Sequence, residues 1–273
     1  IKFDENAAVI IKDDSDITAI DGNIDINADH YGTINTGTGA GAVAGIGAGV
    51  GAAVSVIKDE NHTIIDIAKT DITANRNVNI EANNVSKVTP TVTAVGVAGL
   101  GAGVAGTVAI NNIASVVATN ITDSTIKSNS GNIGISSKNR FENNLVGVGV
   151  SGGFVGVGAV VNVNTVDSAV ATNISGTTIT ADNGDIKVNT EEERDIQQVV
   201  TNVAGGAVAV GANVLVNNFG KAENLGIDLD DYYVQANSAS GKDKYDSRVD
   251  SILKENGIQT DSNITADQGG SNP

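Results

Sequence analysis

One motif returns four times along this chain at almost constant spacing, and that recurrence limits the fold more than composition does. It reads ITAIDGNIDI at residues 17–26, ITANRNVNI at 72–80, IKSNSGNIGI at 126–135 and ITADNGDIKV at 179–188. With Asn23, Asn77, Asn132 and Asp185 as marks, the steps are 54, 55 and 53 residues. A period of this size describes stacked units that share one continuous core, so function is expected along a surface rather than in a single pocket. The chain is expected to be a piece of a long repetitive protein. It contains no Met, so residue 1 is not read as a translation start.

Each unit has two halves. One holds the motif: a short β-branched run, a Gly/Asn/Asp turn, and a second short run. Ile133 and Ile135 flank Gly134, as Ile24 and Ile26 flank Asp25, which is strand alternation, with turns at Asp21-Gly22, Ser130-Gly131 and Asn183-Gly184. Alternation predicts that Ile24, Val78, Ile133 and Ile186 stack on one another facing inward, while Asp25, Asn79, Gly134 and Lys187 face outward.

The other half is rich in Gly, Ala and Val and carries no charge, at 37–56, 92–110, 146–163 and 203–216. These stretches close on Val54-Ser-Val56, Val108-Ala-Ile110, Val161-Asn-Val163 and Val214-Leu-Val216, a second ladder stepping by 54, 53 and 53 residues. Such runs are long enough to raise a transmembrane helix, but their period is two. Gly dominates the odd positions of 37–51, and Val146, Val148 and Val150 alternate with Gly147, Gly149 and Ser151. A helix would scatter that pattern around its circumference, so strands are predicted. Gly on one strand face lets another backbone approach closely. The expected use is a flat, close-packed wall of a solenoid; the alternative is a face that enters a membrane or pairs with another chain. A unit of 53–55 residues is expected to hold two coils, because a single coil would need very long loops.

Composition agrees with this plan. There is no Trp, and Phe and Tyr total eight, so packing must rest on Val, Ile and Ala. With 16 basic and 32 acidic residues the net charge is −16, which repels phosphate backbones and anionic lipid and excludes nucleic acid as an expected partner. The absence of Cys favours an exported protein that avoids misplaced disulfides in an oxidising compartment.

Candidate chemistry is sparse, and no enzyme, cofactor or metal is expected. His30 and His62 lie outside any ligand or catalytic spacing and are read as solvated loop residues. The Gly-rich 99–106 lacks a Lys-Ser/Thr and is one of four equivalent runs, so it is not a phosphate loop. Two acidic clusters, Asp13/Asp14/Asp16 and Asp228/Asp230/Asp231 beside Tyr232 and Tyr233, lack calcium-loop spacing and are read as solvated charge. Asn120-Ile-Thr and Asn173-Ile-Ser fit a glycosylation pattern, yet they are equivalent repeat positions and are read as structural.

The repeat fails after Asn218. The predicted organisation is β-helical repeats over 1–218, divided into a partial unit 1–34, units at about 35–84, 85–139 and 140–193, and a partial unit 194–218. Residues 219–273 form an insertion or cap with a helix at about 245–256, where Val249, Ile252 and Leu253 share a face and Gly257 caps, followed by a flexible tail.

The phrases VAGTVAINN at 104–112 and GANVLVNNFG at 211–220, followed by this insertion and by IQTD at 258–261, resemble the repeats of fusobacterial leukotoxin-type filamentous adhesins, large exoproteins similar in style to filamentous haemagglutinin. The resemblance spans nearly the whole chain and departs most at 225–240. It implies an all-β, right-handed β-helix or solenoid exported by a Gram-negative bacterium to its surface or medium. It also implies virulence roles: adhesion to a host receptor or matrix component, or alternatively killing of leukocytes through their membranes. It brings no catalytic residues.

Overall fold

A computed structural model of the chain describes residues 1–221, and every element in it is a strand. In chain order these are β1 (Lys2–Ile11), β2 (Ser15–Ala19), β3 (Ile24–Ala68), β4 (Thr70–Ala74), β5 (Val78–Thr122), β6 (Thr125–Ser128), β7 (Ile133–Gly152), β8 (Val155–Ser175), β9 (Thr178–Ala181), β10 (Ile186–Gly205) and β11 (Val208–Lys221). The pairs β1/β3, β3/β5, β5/β7, β5/β8, β7/β10, β2/β4, β4/β6 and β6/β9 are all parallel. The short strands form a four-stranded sheet in the order β2-β4-β6-β9, and the long ones form the second sheet. The helix predicted at about 245–256 lies outside the described residues, as do Asp228, Asp230 and Asp231.

Pairing partners lie one full sequence unit apart. Ile24 pairs with Val78, Val78 with Ile133, and Ile186 with Ile133. Two coils per unit would instead pair residues about half a unit apart, so the two-coil expectation is wrong. Its premise was that a single coil needs long loops; the extra length is spent on strands of up to 45 residues.

Each long strand runs out, bends and returns. In β3 the bend falls at Gly47, whose φ of 101° suits Gly and strains other residues. In the later coils the bend interrupts the strand between β7 and β8 and between β10 and β11. The outgoing and returning arms then lie face to face: Asn84 Nδ2 donates to Ser115 Oγ at 3.0 Å, and Ser137 Oγ donates to Thr119 Oγ1 at 3.0 Å. At about 3.3 Å per residue, a 20-residue arm extends roughly 65 Å.

Two corners complete the coil. Asp14, Lys69, Asp123 and Gly176 occupy one of them in successive coils, all left-handed with φ of 56°, 51°, 48° and 59°. At the other, the Asn marks form a ladder: the backbone N–H of Asn77 donates to Asn23 Oδ1 at 3.1 Å, that of Asn132 to Asn77 Oδ1 at 2.8 Å, and that of Asp185 to Asn132 Oδ1 at 2.8 Å. The motif repeats because each side chain satisfies the backbone of the next coil.

The core tapers from the corners to the bend. Between the corners three walls enclose a bulky cluster that includes Ile24, Ile67, Ile72, Val78, Ile80, Ile126 and Ile133. Farther out, Ile34, Ile57, Val88, Ile113, Phe141 and Val166 fill a narrower space between two walls. Next come mainly alanines, with Ala53, Ala94, Ala105 and Ala109 beside Val92 and Leu145. Near the bend even a methyl group is excluded: a Cβ on Gly96 would sit 1.9 Å from the Val104 carbonyl oxygen. Side-chain volume falls as the walls converge, giving a broad base and a thin blade.

The predicted stack of Ile24, Val78 and Ile133 is buried, and Ile186 continues the row on the last described coil at 48% exposure. Asp25 and Lys187 are exposed and Asn79 and Gly134 half-buried, as alternation requires.

Candidate interaction surface

Inside the base, two facing rows carry polar groups where alternation would place apolar ones. His30, Asn84, Asn139 and Glu192 stack in one row, and Glu5, Asn61, Ser115 and Ser168 in the other. Asn84 Nδ2 also donates to Asn139 Oδ1 at 2.7 Å, and Ser115 Oγ donates to the same oxygen at 3.1 Å. His30 touches Asn84 through Nδ1 and Glu5 through Nε2. At the other end Arg194 Nη2 donates to Ser168 Oγ at 2.6 Å and Arg194 Nε to Glu192 Oε1 at 2.6 Å. Hydrogen bonds of this kind from coil to coil hold neighbouring coils in register, although Asn61 Oδ1 and Asn139 Nδ2 in the same rows are buried without a partner among the described residues.

The histidines were expected in solvated loops, and that expectation is overturned. His30 is buried in β3 in phase with Ile24, Ile26 and Ala28, and the alternation of that stretch already pointed it inward. His62 also lies on β3, part-buried, its Nδ1 2.9 Å from Asn6 Oδ1.

Asp59 faces the same interior and accepts hydrogen bonds from Asn61 Nδ2 at 3.0 Å and Ser86 Oγ at 3.1 Å. Burial pushes its carboxyl above the usual range, outweighing those two donors. On the exterior, Lys87 lowers the Glu142 carboxyl through a hydrogen bond of 2.9 Å. These acids serve packing and surface pairing and do not converge on one point. Among the described residues no group of three or more His, Cys, Asp or Glu is placed to hold a metal ion.

Asp13 and Asp14 sit exposed at the left-handed corner, with Asp16 exposed nearby on β2. Asn120 and Asn173 pair as equivalent residues, with Asn173 Nδ2 donating to Asn120 Oδ1 at 3.4 Å.

The exterior divides sharply. Over the base the outer face of the outgoing arms carries charge, with cross-coil pairs Lys87–Glu142 at 2.9 Å and Lys138–Glu81 at 2.7 Å. Over the blade there is none: residues 31–57, 88–122, 143–166 and 196–220 contain no Asp, Glu, Lys or Arg.

What the blade presents instead is an apolar grid on the outer face of the returning arms. Val50, Val104 and Val157 form one column; Ala52, Gly106 and Ala159 form the next. Val54, Val108 and Val161 form a third, and Val56, Ile110 and Val163 a fourth. On β11, Asn217 Oδ1 accepts from the inward-facing Asn164 Nδ2 of the neighbouring coil, which puts Asn217 on the inner face and leaves Val214 and Val216 on the outer one. Nearest the bend, Ala48, Ala102 and Val155 continue the grid, and Ile46, Leu100 and Phe154 stand exposed along the rim.

The outward direction of these valines was not anticipated, although their recurrence was: the second ladder of the sequence, closing at Val56, Ile110, Val163 and Val216, is part of this grid. The Gly-on-one-face expectation also needs correction. Within the single run 37–51 the inward parity switches at the bend, so Gly37 and Gly41 border open space while Gly49 and Gly51 meet the opposing backbone.

No helix among the described residues is long and apolar enough to cross a membrane. No family model, curated protein or solved structure matches this chain.

Proposed function

We propose that this chain is a stretch of right-handed β-solenoid shaft, built from units of 53–55 residues with one unit per coil, in an exported filamentous adhesin. Its exterior would serve as the contact surface for a host receptor or matrix component. One observation carries the reading: equivalent residues of successive units pair along the base and blade, which consumes the interior in structural work and leaves chemistry only on the outside. The resemblance to leukotoxin-type adhesins supplies the host context, and no catalytic role is assigned to any residue.

Two measurements test it. Small-angle scattering should give an extended particle, and a radius of gyration near the roughly 18–19 Å of a compact globule this size would refute the shaft. Immobilised host matrix proteins and epithelial cells should retain the purified chain saturably; no retention on any of them would remove the adhesin assignment. A second reading, a cytotoxin segment acting on leukocyte membranes, draws on the charge-free, Val-lined blade. It requires dye leakage from liposomes and loss of leukocyte viability at the same protein concentrations.

A further inference from the structure

We propose that the Val grid on the returning arms is an association surface for a second copy of this chain, blade against blade. This goes beyond the shaft reading and needs no host partner.

The relief of the grid suits a copy of itself. Columns of Val flank the column of Ala52, Gly106 and Ala159, so a shallow furrow runs across the coils between two ridges. Turned by a two-fold axis, the same face offers a ridge to each furrow, which is the self-complementarity of an isologous contact. Sheets packed face to face in this way sit about 10 Å apart with strands within roughly 30° of alignment.

Area favours the same occupant. Five columns at two residues each span about 33 Å, and four coils about 4.8 Å apart span roughly 19 Å. That is about 600 Å² per copy and 1,200 Å² for the pair, at the lower edge of stable protein interfaces. Charge confines the contact to the blade: the chain carries −16, so copies repel except where the surface is free of charge, as both blade faces are.

A lipid occupant fits less well. The chain has no Trp, and Tyr31 is the sole Tyr among the described residues, so no aromatic belt marks an interfacial depth.

Sedimentation velocity from about 1 to 200 µM should show a monomer–dimer equilibrium with a dissociation constant in the micromolar range. Val54→Lys combined with Val161→Lys should raise that constant at least about 100-fold, because it buries unpaired ammonium groups in the contact. Val43→Lys, on the opposite face of the blade, should leave it unchanged. Circular dichroism melts establish that the variants fold. The chain is free of Cys, so a short bis-maleimide should couple Val108→Cys into dimers and fail with Val150→Cys, which tests the contact even where the lysines unfold the blade. A monomer across the whole range overturns the proposal. So does association untouched by the lysines, which would assign it to the open strand edges. So does a monomer that floats with phosphatidylcholine vesicles and loses that binding with the lysines, which would give the face to lipid.

Discussion

The base and the blade are made by the same strands, with the same alternation and pairing, yet they reverse the usual distribution of side chains. At the base, isoleucines point inward and charges outward. On the blade, small residues, chiefly Gly and Ala, come to dominate the inner faces toward the bend, while a grid of Val stands outward. The difference comes from the separation of the walls. Where three walls enclose a prism, burying a large side chain stabilises by roughly 1.5–3 kcal/mol. Where the two walls touch near the bend, not even a methyl group fits between them, and the larger apolar residues there are left outside.

The strongest attempt to break this comparison is Ile133→Asp. Ile133 is fully buried between neighbouring coils, so a carboxylate there has no partner. Denaturant unfolding should show a loss of about 3–5 kcal/mol, and the same change at half-exposed Ile186 should cost clearly less. Equal losses would mean that the stack is not a shared core.

Gly96→Val probes the blade directly. Its Cβ would overlap the Val104 carbonyl, so the arms must part, at a cost of about 3 kcal/mol. Gly41→Val adds the same side chain to an open outer face and should change stability by less than about 0.5 kcal/mol. Similar effects at both sites would show that the arms do not touch.

Asn77→Ala tests the corner. It removes the oxygen that accepts from the Asn132 backbone, and thermal unfolding should report a loss of about 1 kcal/mol.

Asp59→Asn tests the polar interior through pH. The folded chain holds the Asp59 proton more tightly than the unfolded chain does, because burial raises its carboxyl. This group's contribution is therefore fully present below the unfolded value, near about pH 4, and is lost as pH rises through the raised folded value. The Asn variant should be more stable than the parent at pH 7, and the gap should close as pH falls toward 4. A constant gap would mean that Asp59 is solvated. The smallest effect belongs to Lys187→Asp, an exposed site, at under about 0.5 kcal/mol.

Much of this molecule was legible in the sequence because its signals are local. Period-two alternation marked strands, the spacing of Asn23, Asn77 and Asn132 marked the repeat, and Ile133 against Gly134 marked the faces of the base. The candidate surface was half legible. Its valines were visible as a ladder, but alternation sorts residues onto two faces without saying which face is buried. His30 shows that the answer was sometimes available, since its phase with Ile24 points it inward, and the uncharged setting of the blade valines pointed the wrong way.

By itself, then, the sequence determined the strands, the period and the residue types that share a row, since these depend only on the backbone's two-residue repeat and on like residues stacking. Only the tertiary structure decided that one unit makes one coil, that the inward parity switches at Gly47, and that the grid valines of the returning arms, such as Val50, Val54 and Val161, stand outside. Those features depend on how far apart two walls lie, and that distance is set jointly by corners and bends many residues away.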